Sequence, residues 1–260
     1  MKLFQNAERW PRPIFDENDQ PHFLFIITPP NSGSTALIEL LNSSHKTMIL
    51  QPRGEGQWLV PGLCEKDRWN PDKEVDYLSV KAVWLRKYQD INRLTQNVDV
   101  VLEKSPPNMM RMEMLSSQFK DFSFMANNRN PYAVCASVLY RHYDVEKIDS
   151  DDRKEILGNL AKEWVIRSLK IQELVTRLKF PLLTYEEFCH NPTSVLNFLN
   201  LPDSVSQSIN TNANVKVKDY EIQPIINQNG RQISKLTGEE IECIRQVLNP
   251  NTELMAYFGY

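Results

Sequence analysis

Pro30-Asn31-Ser32-Gly33-Ser34-Thr35 gathers an amide, three hydroxyls and a glycine into one short stretch. Residues of these types bind anions, because a glycine lets backbone N–H groups converge and hydroxyls add further donors. Arg129 and Ser137 stand eight residues apart, and a guanidinium fork and a hydroxyl are both phosphate donors. Glu103-Lys104-Ser105-Pro106 sets a carboxylate beside an ammonium. Glu55 sits between two glycines in Arg53-Gly54-Glu55-Gly56-Gln57, where a backbone can come close to a ligand. Taken singly, each has a plainer explanation as a turn, a surface ion pair or a solvated carboxylate. Their meaning depends on whether one fold brings them together.

The flanking pattern supplies such a fold. Phe23 to Ile27 is an apolar run that reads as a buried strand, broken at Pro29-Pro30. Ala36, Leu37, Ile38, Leu40 and Leu41 follow at helical spacing to about Asn42. Strand, small-residue loop and helix together make an anion cradle, since the helix start adds free N–H groups and partial positive charge. Further strands are predicted at Met48–Leu50, Val98–Leu102, Phe122–Ala126 and Pro181–Thr184. Helices are predicted from Pro71-Asp72 with Val75, Leu78, Ala82 and Leu85 as the apolar face, from Pro131 to His142, from Arg153 to Leu178, and from Thr237 to Val247. A short helix follows Asn108 through Met114, another closes the chain, and 210–235 reads as a long polar loop. Ser137 falls about two turns into its helix. Strands alternating with helices predict an α/β fold, three layers α/β/α around a central, mostly parallel sheet. The loops at 29–35, 103–108 and 127–131 all follow strands, so they gather at the carboxyl edge where such sheets hold ligands. Residues 1–22 form an arm and 23–260 one domain.

Composition narrows the classes. The 260 residues are 41% hydrophobic with a net charge of −3 and interspersed signs, which suits a packed core and argues against broad nucleic-acid binding. No apolar run is long enough to span a bilayer, and the first residues lack a signal-peptide core. Cys64, Cys135, Cys189 and Cys243 are scattered, without metal or disulfide spacing. A cytoplasmic protein with reduced thiols is expected.

The loop is not a Walker A sequence, because Gly33 is followed by Ser34 and not by a lysine. Nor is there the glycine triplet of a dinucleotide fold. The chain resembles the PAPS-dependent sulfotransferases (PAPS is 3′-phosphoadenylyl sulfate), whose fold is P-loop NTPase-like. Pro30, Ser32, Gly33, Ser34 and Thr35 match that family's loop for the 5′-phosphosulfate. Arg129 and Ser137 match its pair for the 3′-phosphate. Glu103-Lys104-Ser105-Pro106, Leu183-Thr184-Tyr185-Glu186-Glu187-Phe188 and the ending Tyr257-Phe258-Gly259-Tyr260 resemble further family segments. The resemblance implies PAPS as donor, PAP as product, no metal, and a small or medium acceptor with a hydroxyl or amine. It implies Glu55, about twenty residues beyond the loop, as the base. Burial would have to raise its ordinary pKa of about 4. His45 and His142 are alternative bases. Arg231, on a late loop that also carries Lys216 and Lys218, is a candidate nucleotide contact. Trp58, beside Glu55, is the tryptophan best placed to meet an acceptor. Asn31 departs from the family, which has a basic residue there, and Lys104 is the nearest candidate to replace that charge. A binder of PAPS or PAP that does not transfer sulfate, or less readily a P-loop phosphotransferase, are the competing classes.

Overall fold

Along β1 (His22–Ile27), Phe23, Phe25 and Ile27 alternate with Leu24 and Ile26, and none is more than 1% exposed. Period-two alternation with both sets buried means that the strand is covered on both faces. The computed structural model describes residues 20–95, 98–199, 201–217 and 221–260. Most of the expected amino-terminal arm, and Lys218, lie outside the described residues.

Four strands join β1: β2 (Thr47–Ile49), β3 (Val100–Glu103), β4 (Phe122–Asn128) and β5 (Leu182–Thr184). All neighbours are parallel, in the order β2-β3-β1-β4-β5. Phe25 is in register with Glu103 on one side and Phe124 on the other. The carboxyl ends of β1, β3 and β4 therefore fall side by side. The strand order turns back at β1, so the loop after it opens onto the crevice where doubly wound sheets bind ligands.

Helices fill both outer layers. On one face, Leu24, Ile26, Val100, Leu102 and Met125 pack under α1 (Ser34–Leu41), together with α6 (Tyr185–His190), α7 (Ser194–Phe198) and α8 (Asp203–Ser206). On the other, Phe23, Phe25, Ile27 and Val101 meet α2 (Tyr77–Thr95), α3 (Met112–Gln118), α4 (Pro131–His142) and α5 (Ser150–Leu178). The carboxyl-terminal α10 (Gly238–Leu248) and α11 (Thr252–Tyr257) add to that layer, and α9 (Asn229–Ile233) lies before them in the chain. The three-layer α/β/α architecture is the one the sequence predicts.

Three local expectations change. The helix expected at Pro71-Asp72 starts at Tyr77, where the Asp76 carboxylate accepts the N–H groups of Leu78 and Ser79. Its buried face carries Tyr77, Val80, Trp84, Leu85 and Tyr88, while Leu78 is 55% exposed. The apolar area of the large aromatic side chains decides which face turns inward. Within 210–235, Val215 and Gln223 form an antiparallel bridge and Asn229–Ile233 is helical. Finally, α5 begins before Arg153 because Asp149 caps it, accepting from Asp151 and Asp152 N–H. Asp149→Ala should cost about 0.5–2 kcal/mol of stability in denaturant unfolding while leaving nucleotide affinity unchanged. An unaltered midpoint would show that the cap is dispensable.

Candidate functional site

The loop after β1 is shaped by two left-handed residues, Asn31 at φ 63° and Gly33 at φ 79°. Gly33 precedes the first turn of α1 and its carbonyl accepts from Ala36 and Leu37 N–H. A Cβ on Gly33 would lie 2.1 Å from Tyr185 Cδ2, so glycine is required by backbone conformation and by packing alike. Ser34 and Thr35 occupy the first helical turn. Ser32 is fully buried, and its hydroxyl has no hydrogen-bond partner among the described residues.

Arg129 follows the last residue of β4 and is held from several sides. Its carbonyl accepts the Trp164 indole N–H at 2.9 Å. Its Nε donates to Asn229 Oδ1 at 2.8 Å, and its Nη1 donates to the Asn31 carbonyl at 3.3 Å. The guanidinium lies over the Tyr185 ring, 4.2 Å from the centroid. Nη2 is buried and has no partner among the described residues. Behind this group, Glu186 accepts from Asn130 N–H, the Asn229 amide and the Tyr260 hydroxyl. Thr184 and Glu187 form a capping box at the start of α6, which fixes Tyr185 one residue beyond β5.

Across the cavity, Lys104 Nζ lies 3.0 Å from Glu55 Oε1 and is only 3% exposed. Glu55 Oε2 accepts from the Trp58 indole at 2.9 Å and the Gln57 amide at 3.1 Å. Burial raises the Glu55 carboxyl, but the Lys104 charge and the hydrogen bonds from Trp58, Lys104 and Gln57 outweigh it and bring it below the ordinary value. The expectation that burial would raise this carboxyl is thus reversed: the residue is an ionised carboxylate at neutral pH. Its flanking glycines have another purpose than expected. A Cβ on Gly56 would lie 2.5 Å from Glu103 Oε2, and one on Gly54 would lie 2.9 Å from Ile38 Cδ1. The protein's own side chains demand the space.

Glu103 is fully buried at the end of β3, accepting from Gly56 N–H at 2.9 Å and the Asn108 amide at 3.3 Å. Burial pushes its carboxyl up to about 7, against hydrogen bonds from Ser105 and Gly56 and the Lys104 charge. Between the ordinary value of 4.5 and this value, the folded protein keeps a proton that the unfolded chain has released. The stability contributed is complete below the unfolded pKa and is lost as pH rises through the folded one. For an isolated group the loss is on the order of 3 kcal/mol. Denaturant unfolding at about pH 5 and about pH 8 should therefore show wild type losing more stability with rising pH than Glu103→Gln. Equal losses would refute this account.

Several of these groups border one cavity of about 320 Å³, while Glu103 is buried behind it. Pro30, Asn31, Gly33, Ser34 and Thr35 form one wall, Glu55 and Lys104 another, and Arg129 and Ser137 a third. Tyr185, Gln228 and the segment from Gln223 to Ile226 close over it, with the Tyr185 hydroxyl donating to the Ile226 carbonyl and accepting Gln228 N–H. The walls offer far more donors than acceptors, which is the balance an anion needs.

A sulfotransferase crystal structure from Mycobacterium avium superposes on the chain with a TM-score of 0.54 at 15% identity, covering 94% of this chain and 79% of that one. The chain has the sulfotransferase fold. The sulfotransferase domain of a Synechococcus PCC 7002 olefin synthase matches with a TM-score of 0.49 at 16% identity, over 92% of this chain and 98% of that domain. No protein-family model matches the sequence, and no curated sequence relative does.

Within this sulfotransferase fold the expected residues divide by position. Pro30, Asn31, Gly33, Ser34, Thr35, Glu55, Lys104, Arg129 and Ser137 line the cavity; Ser32 is buried within the loop. Of the alternative bases, His142 lines the cavity. His45 is exposed in the turn between α1 and β2, at the amino end of that strand and so the far edge of the sheet. Arg231 is on the exposed side of α9, where Gln228 and Gln232 line the cavity instead. Trp58 reaches the cavity rim, and Trp69 reaches it too, under a cation–π contact with Arg167. The sequence motifs do not single out Arg141 or Asn229. Arg141 follows Ser137 by one helical turn, a spacing that could have marked it. Asn229 carries no such signal. No helix among the described residues is long and apolar enough to cross a membrane.

Proposed function

We propose that this protein transfers a sulfuryl group from PAPS to a hydroxyl or amine of a small or medium acceptor. The observation that carries the proposal is Arg129 Nη2, a donor without a protein partner among the described residues on a residue of the cavity wall, with Ser32 Oγ, likewise unpartnered, buried within the loop that forms another wall. Unpaired buried donors cost about 1–3 kcal/mol each unless an anion or water takes them. A nucleotide with a phosphate at each end fits that demand. The β1–α1 loop holds the 5′ end by backbone N–H groups, Ser34 and Thr35. Arg129 and Ser137 hold the 3′-phosphate.

PAPS supplies the activated sulfuryl group: its S–O bond to phosphate breaks as the acceptor's bond to sulfur forms, and PAP leaves with the electron pair. Glu55 takes the acceptor's proton. An ionised carboxylate is ready to do so, although its low pKa limits its pull. Lys104 does more than hold Glu55. Once Glu55 is protonated it is neutral, and the Lys104 charge is then unbalanced beside the reacting centre. Positive charge becomes available as negative charge develops.

Two measurements test the proposal. PAP at about a hundred times its dissociation constant should raise stability by about 2.7 kcal/mol, seen as a higher melting temperature. PAPS should be consumed in the presence of a panel of phenols, alcohols and amines. A shift with PAP but no consumption would select the second reading, favoured by Asn31, in which the protein binds the nucleotide without transfer. A larger shift with ATP than with PAP would point to a phosphotransferase.

A further inference from the structure

Residue 31 is where the resemblance places a cation and this chain has an amide. Another element brings a cation to that point. Arg141, on α4, lines the cavity and donates from Nη1 to Asn31 Oδ1 at 3.0 Å. Arg141 has no carboxylate at ion-pair distance among the described residues. Arg53 and Arg68 also line the cavity, and two further cations there are engaged otherwise. Lys104 is taken up by Glu55 at 3.0 Å, and Arg129 is held by Asn229 and Tyr185. Asn31 also passes its carbonyl to Arg129 Nη1 at 3.3 Å, so one loop residue is bracketed by two guanidinium groups.

We propose that Arg141 is the cation of the 5′-phosphosulfate subsite and that Asn31 is the positioning residue that holds its guanidinium at the loop. This rests on the donor reading given above. The amide at 31 is then the complement of Arg141. A lysine at 31 would set like charges a few ångströms apart, whereas the Asn31 side-chain amide oxygen accepts a guanidinium N–H from Arg141 and leaves further N–H groups for the ligand. Arg141 faces the same cavity as Ser137 one turn earlier, so a single helix serves both ends of the nucleotide.

Calorimetric titration of PAPS, PAP and adenosine 3′-monophosphate tests this without an acceptor, because the last of these has no 5′ group. Arg141→Met should weaken PAPS and PAP about 10- to 100-fold, the loss of one charge-assisted contact. It should leave adenosine 3′-monophosphate within about twofold of wild type. Arg141→Lys should recover part of the loss, as a point charge without the fork. The pair Asn31→Lys with Arg141→Met should recover most of it, by returning the charge to residue 31. Asn31→Lys alone should weaken PAPS, since it pits two cations against each other. Should Arg141→Met fail to fold, Arg141→Lys and Arg141→Gln carry the same comparison across the three nucleotides. Equal losses for all three nucleotides, or none, overturn the inference while the donor reading stands. A wild-type protein that binds none of the three overturns both.

Discussion

Lys104→Met should reduce sulfuryl transfer by about 10²–10³-fold while changing PAP affinity far less. Lys104 is nearly fully buried, and its ammonium is the counter-charge of Glu55 at 3.0 Å. Removing it has two consequences that can be measured separately. The charge exposed when Glu55 accepts a proton disappears, which lowers kcat. Glu55 also loses an attraction and a hydrogen bond that hold its carboxyl down, while the burial that raises it remains. The acid limb of the pH–rate profile should therefore move to higher pH. Glu55→Gln should also slow transfer and remove that limb. The two substitutions together should cost less than the product of the separate losses, because they act on one pair. Full turnover in Lys104→Met would refute the assignment. A uniform fall in kcat with an unmoved acid limb would refute the coupling to Glu55.

Gly33→Ala should be the most damaging single methyl in the loop. Its cost has two parts. A left-handed backbone at φ 79° costs an alanine about 1–2 kcal/mol. The new Cβ would also collide with the Tyr185 ring at 2.1 Å, which requires the ring to move and adds about 1–3 kcal/mol of overpacking. Tyr185 lies under Arg129 and is tied to Ile226 and Gln228, so its displacement disturbs three walls of the cavity. A shift of about an ångström in such groups costs roughly 10²-fold in function, and PAP affinity should fall by about that much. Gly62→Ala is the control. Gly62 has φ 92°, and a Cβ added there would meet no atom within 4 Å, so this position bears the backbone strain alone. If the two variants are equally destabilised, the Tyr185 contact is not what excludes a side chain at residue 33.

Much of the architecture is legible because it rests on short-range signals. The apolar run of β1, the proline break and the small-residue loop announce a strand, a stop and a cradle before any tertiary contact is known. Pro131 likewise marks the first turn of α4, where the helix does begin. The misreadings come from competition between surfaces. Leu78 and Tyr77 each lie on a possible apolar face of α2, and only the larger aromatic area settles the matter. Gly54 and Gly56 beside a carboxylate suggest room for a ligand, yet the neighbours that need the room, Ile38 and Glu103, are distant in sequence. The charge state of Glu55 is equally hidden, since Lys104 reaches it from another strand end across 49 positions. Asn229 stands a hundred positions from Arg129 and has no periodicity to betray it.

The placement of β1 also governs how the protein assembles. The strand carrying the loop is flanked on both sides, and its partners are made about 80 and 100 residues later in the chain. Neither edge of β1 can be satisfied by local pairing, so both require closure of long segments before any ladder bond forms. The helices can form early from neighbouring residues, but the cradle acquires its geometry only when β3 and β4 have docked. Arg129 arrives with β4 and Tyr185 with β5, so the cavity is a late product of folding. A chain interrupted before β5 would carry the anion loop, Lys104 and Arg129 without Tyr185 and the 223–228 segment that close over the cavity.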